Sequence, residues 1–157
     1  MAITILLDKP LLKVGHVGPL LISLYRKATS LEVLDELDRI ESEHVKKYPR
    51  ISTLSLLLTS EGMLKVDEAL RERGAEMSRK YDPHMVGAAI VVLSKGLSAV
   101  MTRTFLSGYF LVTRPEAPTR TFSTAAEAID WLRTLPGQDA DVKTSPSLRA
   151  DVEHFIG

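Results

Sequence analysis

Four histidines, His16, His44, His84 and His154, are the side chains best suited to hold a metal or relay a proton near neutral pH. No two stand at an H-E-x-x-H spacing or at another metal-ligand spacing, and each falls in a different expected element. His44 lies on the apolar stripe of a helix, the place of a histidine at the core's edge. His84 follows Pro83 and reads as a surface loop. Carboxylates crowd one helix: Glu32, Asp35, Glu36, Asp38, Glu41 and Glu43, interleaved with Arg39, Lys46 and Lys47. A general acid needs a desolvated pocket to raise its pKa. Charges lying mostly opposite an apolar stripe meet water instead, so this array reads as a solvated face. No G-x-S-x-G nucleophile elbow occurs, and Ser60 lacks the flanking glycines of one. The expectation is a chain with no catalytic residue, no metal site and no cofactor.

Glycines and helix starts are the places where a backbone can hold an anion. Gly15 and Gly18 flank His16 and Val17 but have no third glycine and no following helix, so they form no phosphate cradle. Ser94-Lys95-Gly96 precedes a helix, where free N–H groups point outward; its plain reading is a loop. Thr59-Ser60-Glu61-Gly62 joins a buried strand to a helix. It reads as a helix cap with Glu61 favouring the dipole, and also as a loop where a phosphate on Thr59 or Ser60 would be tolerated and would alter a docking surface.

The elements that position these residues follow from composition and period. A chain of 157 residues with 45% hydrophobic and 25% charged side chains can bury one core. Basic and acidic residues number 20 each, so the basic excess of a nucleic-acid binder is missing, and a neutral surface leaves homo-oligomers open. The absence of cysteine removes disulfides, thiol nucleophiles and thiolate metal sites. The first ten residues contain an apolar run broken by Asp8, too short for a signal peptide or a membrane span. A cytoplasmic protein without membrane insertion is therefore expected.

Residues 3–7, 11–17 and 20–26 read as three short strands. Asp8-Lys9-Pro10 and Gly18-Pro19 separate them, and connections this short require antiparallel pairing. From Ser30 the period changes to threes and fours through Leu31, Leu34, Leu37, Ile40, His44, Val45 and Tyr48, an amphipathic helix with Thr29 or Ser30 as N-cap and Pro49 past its end. Residues 51–58 form a buried strand. Met63, Val66, Leu70, Met77 and Tyr81 mark a second helix, and residues 86–93 a central strand. A third helix carries Leu97, Val100, Met101, Phe105 and Gly108. A short strand over 119–122 then leads to a fourth helix capped by Ser123. Residues 138–144 read as a polar linker, and Ser145-Pro146 starts a last helix bearing Leu148, Val152, Phe155 and Ile156. Helix–strand alternation after residue 30 predicts an α/β fold, a mixed sheet with antiparallel N-terminal strands and later parallel ones.

The element order, with Thr119-Arg120-Thr121-Phe122-Ser123-Thr124-Ala125-Ala126-Glu127-Ala128-Ile129-Asp130-Trp131-Leu132 at its end, resembles the STAS superfamily, in particular divergent bacterial STAS-like proteins related to anti-sigma-factor antagonists. The resemblance implies helices largely on one face of the sheet, a STAS-like domain over 1–135 with a linker and helix over 136–157, and a regulatory role through protein–protein binding. It also implies a phosphorylated serine near Thr59 and Ser60, although the segment here reads Thr-Ser-Glu-Gly.

Three functions are weighed. The first is a non-enzymatic adaptor that binds another protein, its final helix offering Leu148, Val152, Phe155 and Ile156 to a partner or second copy, or else packing on its own domain. The second is a small-molecule or lipid-binding domain with Met63, Met77, Met85, Met101 and Phe105 lining a pliable cavity. The third is an immunity or inhibitor protein.

Overall fold

The computed structural model describes residues 3–58 and 67–157. Six strands form one sheet in chain order: β1 (Thr4–Asp8), β2 (Leu12–Val17), β3 (Leu20–Tyr25), β4 (Ile51–Leu57), β5 (Met85–Val92) and β6 (Thr119–Phe122). β1, β2 and β3 pair antiparallel, and β3 to β6 pair parallel. The β2–β3 turn needs only Gly18 and Pro19, with Val17 opposite Leu20. Gly18 has φ +53°, the positive angle a two-residue hairpin demands of its first central residue.

Each parallel step requires a crossover: α1 (Leu31–Lys47), α2 (Glu68–Tyr81) and α3 (Leu97–Thr113). Successive neighbouring strands joined by crossovers of one hand put all three helices on the same face. The core confirms it, with Leu12, Val14 and Leu21 of the sheet packed with α1 and α2, and Leu57 and Val92 with α3. Ser30 caps α1 by accepting from Val33 N at 3.2 Å, and Asp67 caps α2 by accepting from Leu70 N at 2.8 Å.

The other face is covered by α4 (Ala125–Thr134), α5 (Ala140–Thr144) and α6 (Leu148–Ile156), so the expected one-sided arrangement describes the crossover helices and a second helical layer lies opposite. Leu20, Ile22, Leu24, Leu54 and Leu56 meet Ile129, Leu132, Leu148, Val152 and Phe155 there in a single cluster. Thr124, rather than Ser123, caps α4, its hydroxyl accepting from Glu127 N and donating to the Glu127 carboxylate.

Two further expectations need correction. Residues 138–144 are no linker: Val142 is fully buried, and buried Gln138 accepts from Ser52 Oγ at 3.0 Å and donates to Leu132 O at 2.9 Å. The last helix is not free for a partner either. Leu148 and Val152 are fully buried and Phe155 nearly so against the chain's own sheet, with Ile156 packed beside them. An apolar stripe next to an otherwise bare sheet face lowers its free energy most simply by covering that face.

Candidate functional site: a cavity under the crossover helices

The two faces of the sheet carry different side chains because alternate residues of a strand point to opposite sides. Leu20, Ile22 and Leu24 of β3 and Leu54 and Leu56 of β4 fill the α4–α6 side. Several of the intervening positions under α1–α3 are short or hydroxylated, namely Ser23 and Tyr25 on β3, Thr53 and Ser55 on β4, Ala88 on β5 and Thr119 on β6, while Leu57 and Ile90 also line the space. Short side chains on the floor leave space unfilled beneath helices that the larger residues around them support, and a cavity of about 290 Å³ results. Its roof comprises Leu34, Leu37 and Glu41 of α1, Leu70, Met77 and Tyr81 of α2, and Phe105, Leu106, Tyr109 and Phe110 of α3. At about 30 Å³ per water, that space equals about ten waters, near the lower end of ligand-pocket sizes.

Glu41 sets the chemistry of the cavity. It is only 9% exposed and lines the cavity; among the described residues no ion pair reaches its carboxyl, and no fully buried side-chain nitrogen or oxygen is left without a hydrogen-bond partner. Burial raises its pKa to about 8, the charge of Asp38 adds to the rise, and Lys80 partly offsets it. At pH 7 the carboxyl is mainly protonated and is a neutral hydrogen-bond donor. Tyr25 on the floor is also raised, first by burial and then by the Glu41 charge.

Close by, Asp38 is treated in the opposite way. Burial alone would raise its pKa, but hydrogen bonds from Tyr81, Arg73 and Lys80 outweigh that and hold it at about 2. Tyr81 also donates to Asp38 O at 2.9 Å and meets Ser42 Oγ at 3.0 Å, so this network ties α2 to α1 along one wall. Asp82, at the cavity's other end, accepts from the backbone N–H groups of Glu116 and Ala117.

The sequence reading placed Glu41 with the solvated carboxylates; the structure corrects this. Leu34, Leu37 and Glu41 are spaced by three and four, so the glutamate falls on the helix's inward stripe. That spacing, and the Ser/Thr positions 23, 53 and 55 alternating with leucines and isoleucine, were the signals available for the site. Of the expected cavity-lining residues, Met77, Met85 and Phe105 line it, whereas Met101 is on the surface. Met63 lies outside the described residues, as do Val66 and the whole candidate loop Thr59, Ser60, Glu61 and Gly62.

Two histidines that the sequence kept apart come together. The rings of His16 and His44 are 5.3 Å apart, with Tyr48 5.0 Å from His44. His44 is buried, its Nε2 donating to Pro19 O at 3.1 Å; burial lowers its pKa, against the raising effect of that hydrogen bond. A second cavity of about 210 Å³ lies beside them. His84 and His154 lie elsewhere, and no group of three metal-ligating side chains occurs among the described residues. Gly96 precedes α3 with φ +77° and no side-chain cap.

The outer surface of α3 is unusually apolar. Leu97 and Leu111 are 75% exposed and Val112 83%, while Arg103 is the helix's single charged residue. Among the described residues no helix is long and apolar enough to cross a membrane. Comparison with protein-family models, with curated proteins and with solved structures finds no match.

Proposed function

We propose that the chain is a small-molecule-binding domain whose site is the cavity between the sheet and α1–α3. The observation that carries this reading is the cavity itself, lined mainly by apolar side chains and with the protonatable Glu41 on its wall. A protonated carboxyl on such a wall gives a guest that carries an acceptor a hydrogen bond to make. The volume suits a compact molecule and falls well short of a two-chain lipid. This is the second of the functions weighed from the sequence. The first, a protein-binding adaptor, loses only the apolar stripe of its last helix, because Leu148, Val152 and Phe155 are buried.

The test is a fragment screen followed by protein NMR on wild type and on Ser55→Leu and Ala88→Leu, which fill the floor. Wild type is expected to bind small apolar fragments, with shifts centred on β4, β5 and α3. The filled variants are expected to keep their fold by circular dichroism and lose the binding. Binding unaffected by either substitution would sink the reading.

The exposed apolar side of α3 favours a second reading, self-association through that helix. With a net charge of zero, a second copy meets little repulsion there. Light scattering is expected to show a dimer that Leu111→Lys with Val112→Lys converts to a monomer; a monomeric wild type removes this reading.

A further inference from the structure

Resting on the reading of the cavity as a ligand site, we infer that its guest is an uncharged molecule of about ten non-hydrogen atoms that offers a carbonyl or hydroxyl oxygen to the Glu41 carboxyl and an apolar body to the rings of α3. Three features of the lining lead there.

First, the polar groups on the floor are neutral hydroxyls: Ser23, Thr53 and Ser55 from β3 and β4, joined by Tyr25 and Tyr109. Hydroxyls both donate and accept, so they complement an oxygen-bearing neutral guest without burying a charge. Second, the fixed charges around Glu41 are already matched. Lys80 holds Asp38 at 3.0 Å, Arg73 holds Asp35 and Asp38 at 3.1 and 2.8 Å, and Asp82 is engaged by two backbone N–H groups. Arg71, which also lines the cavity, has a partner of its own. An anionic guest therefore finds no spare cation among these.

Third, an ammonium guest would require Glu41 to ionise in a space where burial favours its protonated form. Two charges would then have to be desolvated together, a loss that their attraction often fails to recover. A carbonyl or hydroxyl guest accepts the proton that Glu41 already carries. No ionisation is needed.

Asp38 from its own helix and Lys80 from α2 act on Glu41, and the Glu41 charge acts in turn on Tyr25 of β3; Tyr81 of α2 and Tyr109 of α3 also line the cavity. Of these, Asp38 is held ionised by its three hydrogen bonds, and the tyrosines are raised by burial. Glu41 is therefore the group that changes protonation as the pH crosses about 8.

The experiment uses three probes of nearly equal shape, acetophenone, ethylbenzene and 1-phenylethylammonium, titrated into the full chain by NMR at pH 6 and pH 9. At pH 6 acetophenone is expected to bind about three- to tenfold more tightly than ethylbenzene, the value of one hydrogen bond. At pH 9 that preference should disappear while ethylbenzene is unchanged. Glu41→Gln, which keeps an N–H donor, should retain the preference at both pH values. Glu41→Leu should abolish it and still admit ethylbenzene. The wild-type comparison across pH stands by itself if a variant fails to fold. Equal binding of acetophenone and ethylbenzene at pH 6, or tightest binding of the ammonium probe, overturns the inference and leaves the cavity reading intact. Failure of every probe to bind overturns both.

Discussion

The two sides of one sheet are built from the same strands and end up unlike. On the α4–α6 side, Leu54, Leu56, Leu132 and Leu148 are fully buried in a cluster that draws on every helix of that layer. On the α1–α3 side, the intervening positions 23, 53, 55 and 88 are Ser, Thr, Ser and Ala, and a cavity remains. One side is closed by jigsaw packing of large side chains, the other left open by small ones. The contrast teaches that stability and ligand capacity can be assigned to opposite faces, so that space for a guest does not hollow the main core.

The comparison can be broken most forcefully from the packed side. Phe155→Ala removes a ring from the main cluster and should cost about 3–5 kcal/mol; denaturant unfolding would measure it. A cost below about 1 kcal/mol would mean that the last helix is not part of the core after all.

Glu41 supplies the next largest effect. Its pKa rises on folding from 4.5 to about 8, so between those values the folded chain keeps a proton the unfolded chain has lost. Stability should therefore fall as pH rises through that window and level off above it. At about 1.4 kcal/mol per unit, less what cavity water screens, the change is on the order of 2–4 kcal/mol. Glu41→Gln should remove it, so the variant's stability relative to wild type should grow between pH 5 and pH 8.5. A difference that does not vary with pH would return Glu41 to the solvated face.

Gly15 sharpens the point on the packed side. A Cβ there would lie 2.6 Å from Ile3 Cγ2 and 2.9 Å from Thr4 O, and a backbone oxygen has little freedom to yield. Gly15→Ala should cost about 1–3 kcal/mol in thermal or chemical unfolding. The smallest effect belongs to the open side. Ser55→Val adds methyl groups to vacant space and should change stability by less than about 1 kcal/mol in either direction. A loss as large as that of Gly15→Ala would show that the open side is as tightly filled as the packed one.

Much of the fold was legible in the residues. The hairpin at Gly18-Pro19, the stop before Pro49, the uncharged run of β5 and the short strand at 119–122 each follow from local rules, and most element boundaries agree within a residue or two; α2, however, starts only at Glu68, capped by Asp67, although its stripe was read from Met63, and α5 was not expected. The site was less legible. Glu41 looked like one more acid among six on its helix, although its spacing from Leu34 and Leu37 turns it inward. The leucine-rich strand β4 read as uniformly buried, which hid that its alternate Thr53 and Ser55 face a different layer. The last helix looked detachable because its polar lead-in resembled a linker, whereas Gln138 and Val142 are both buried. The stretch that resembles the STAS superfamily forms β6 and α4.

The amino-acid order alone determined most of the secondary elements and the mixed strand directions, because period and turn residues act within a few dozen residues of chain. Only the tertiary structure decided that residues 136–157 close the opposite face, that His16 and His44 meet, and that Glu41 borders empty space. Those outcomes depend on which distant surfaces come into contact, and burial, the quantity that sets Glu41's proton affinity, exists only once three helices and four strands have closed around it.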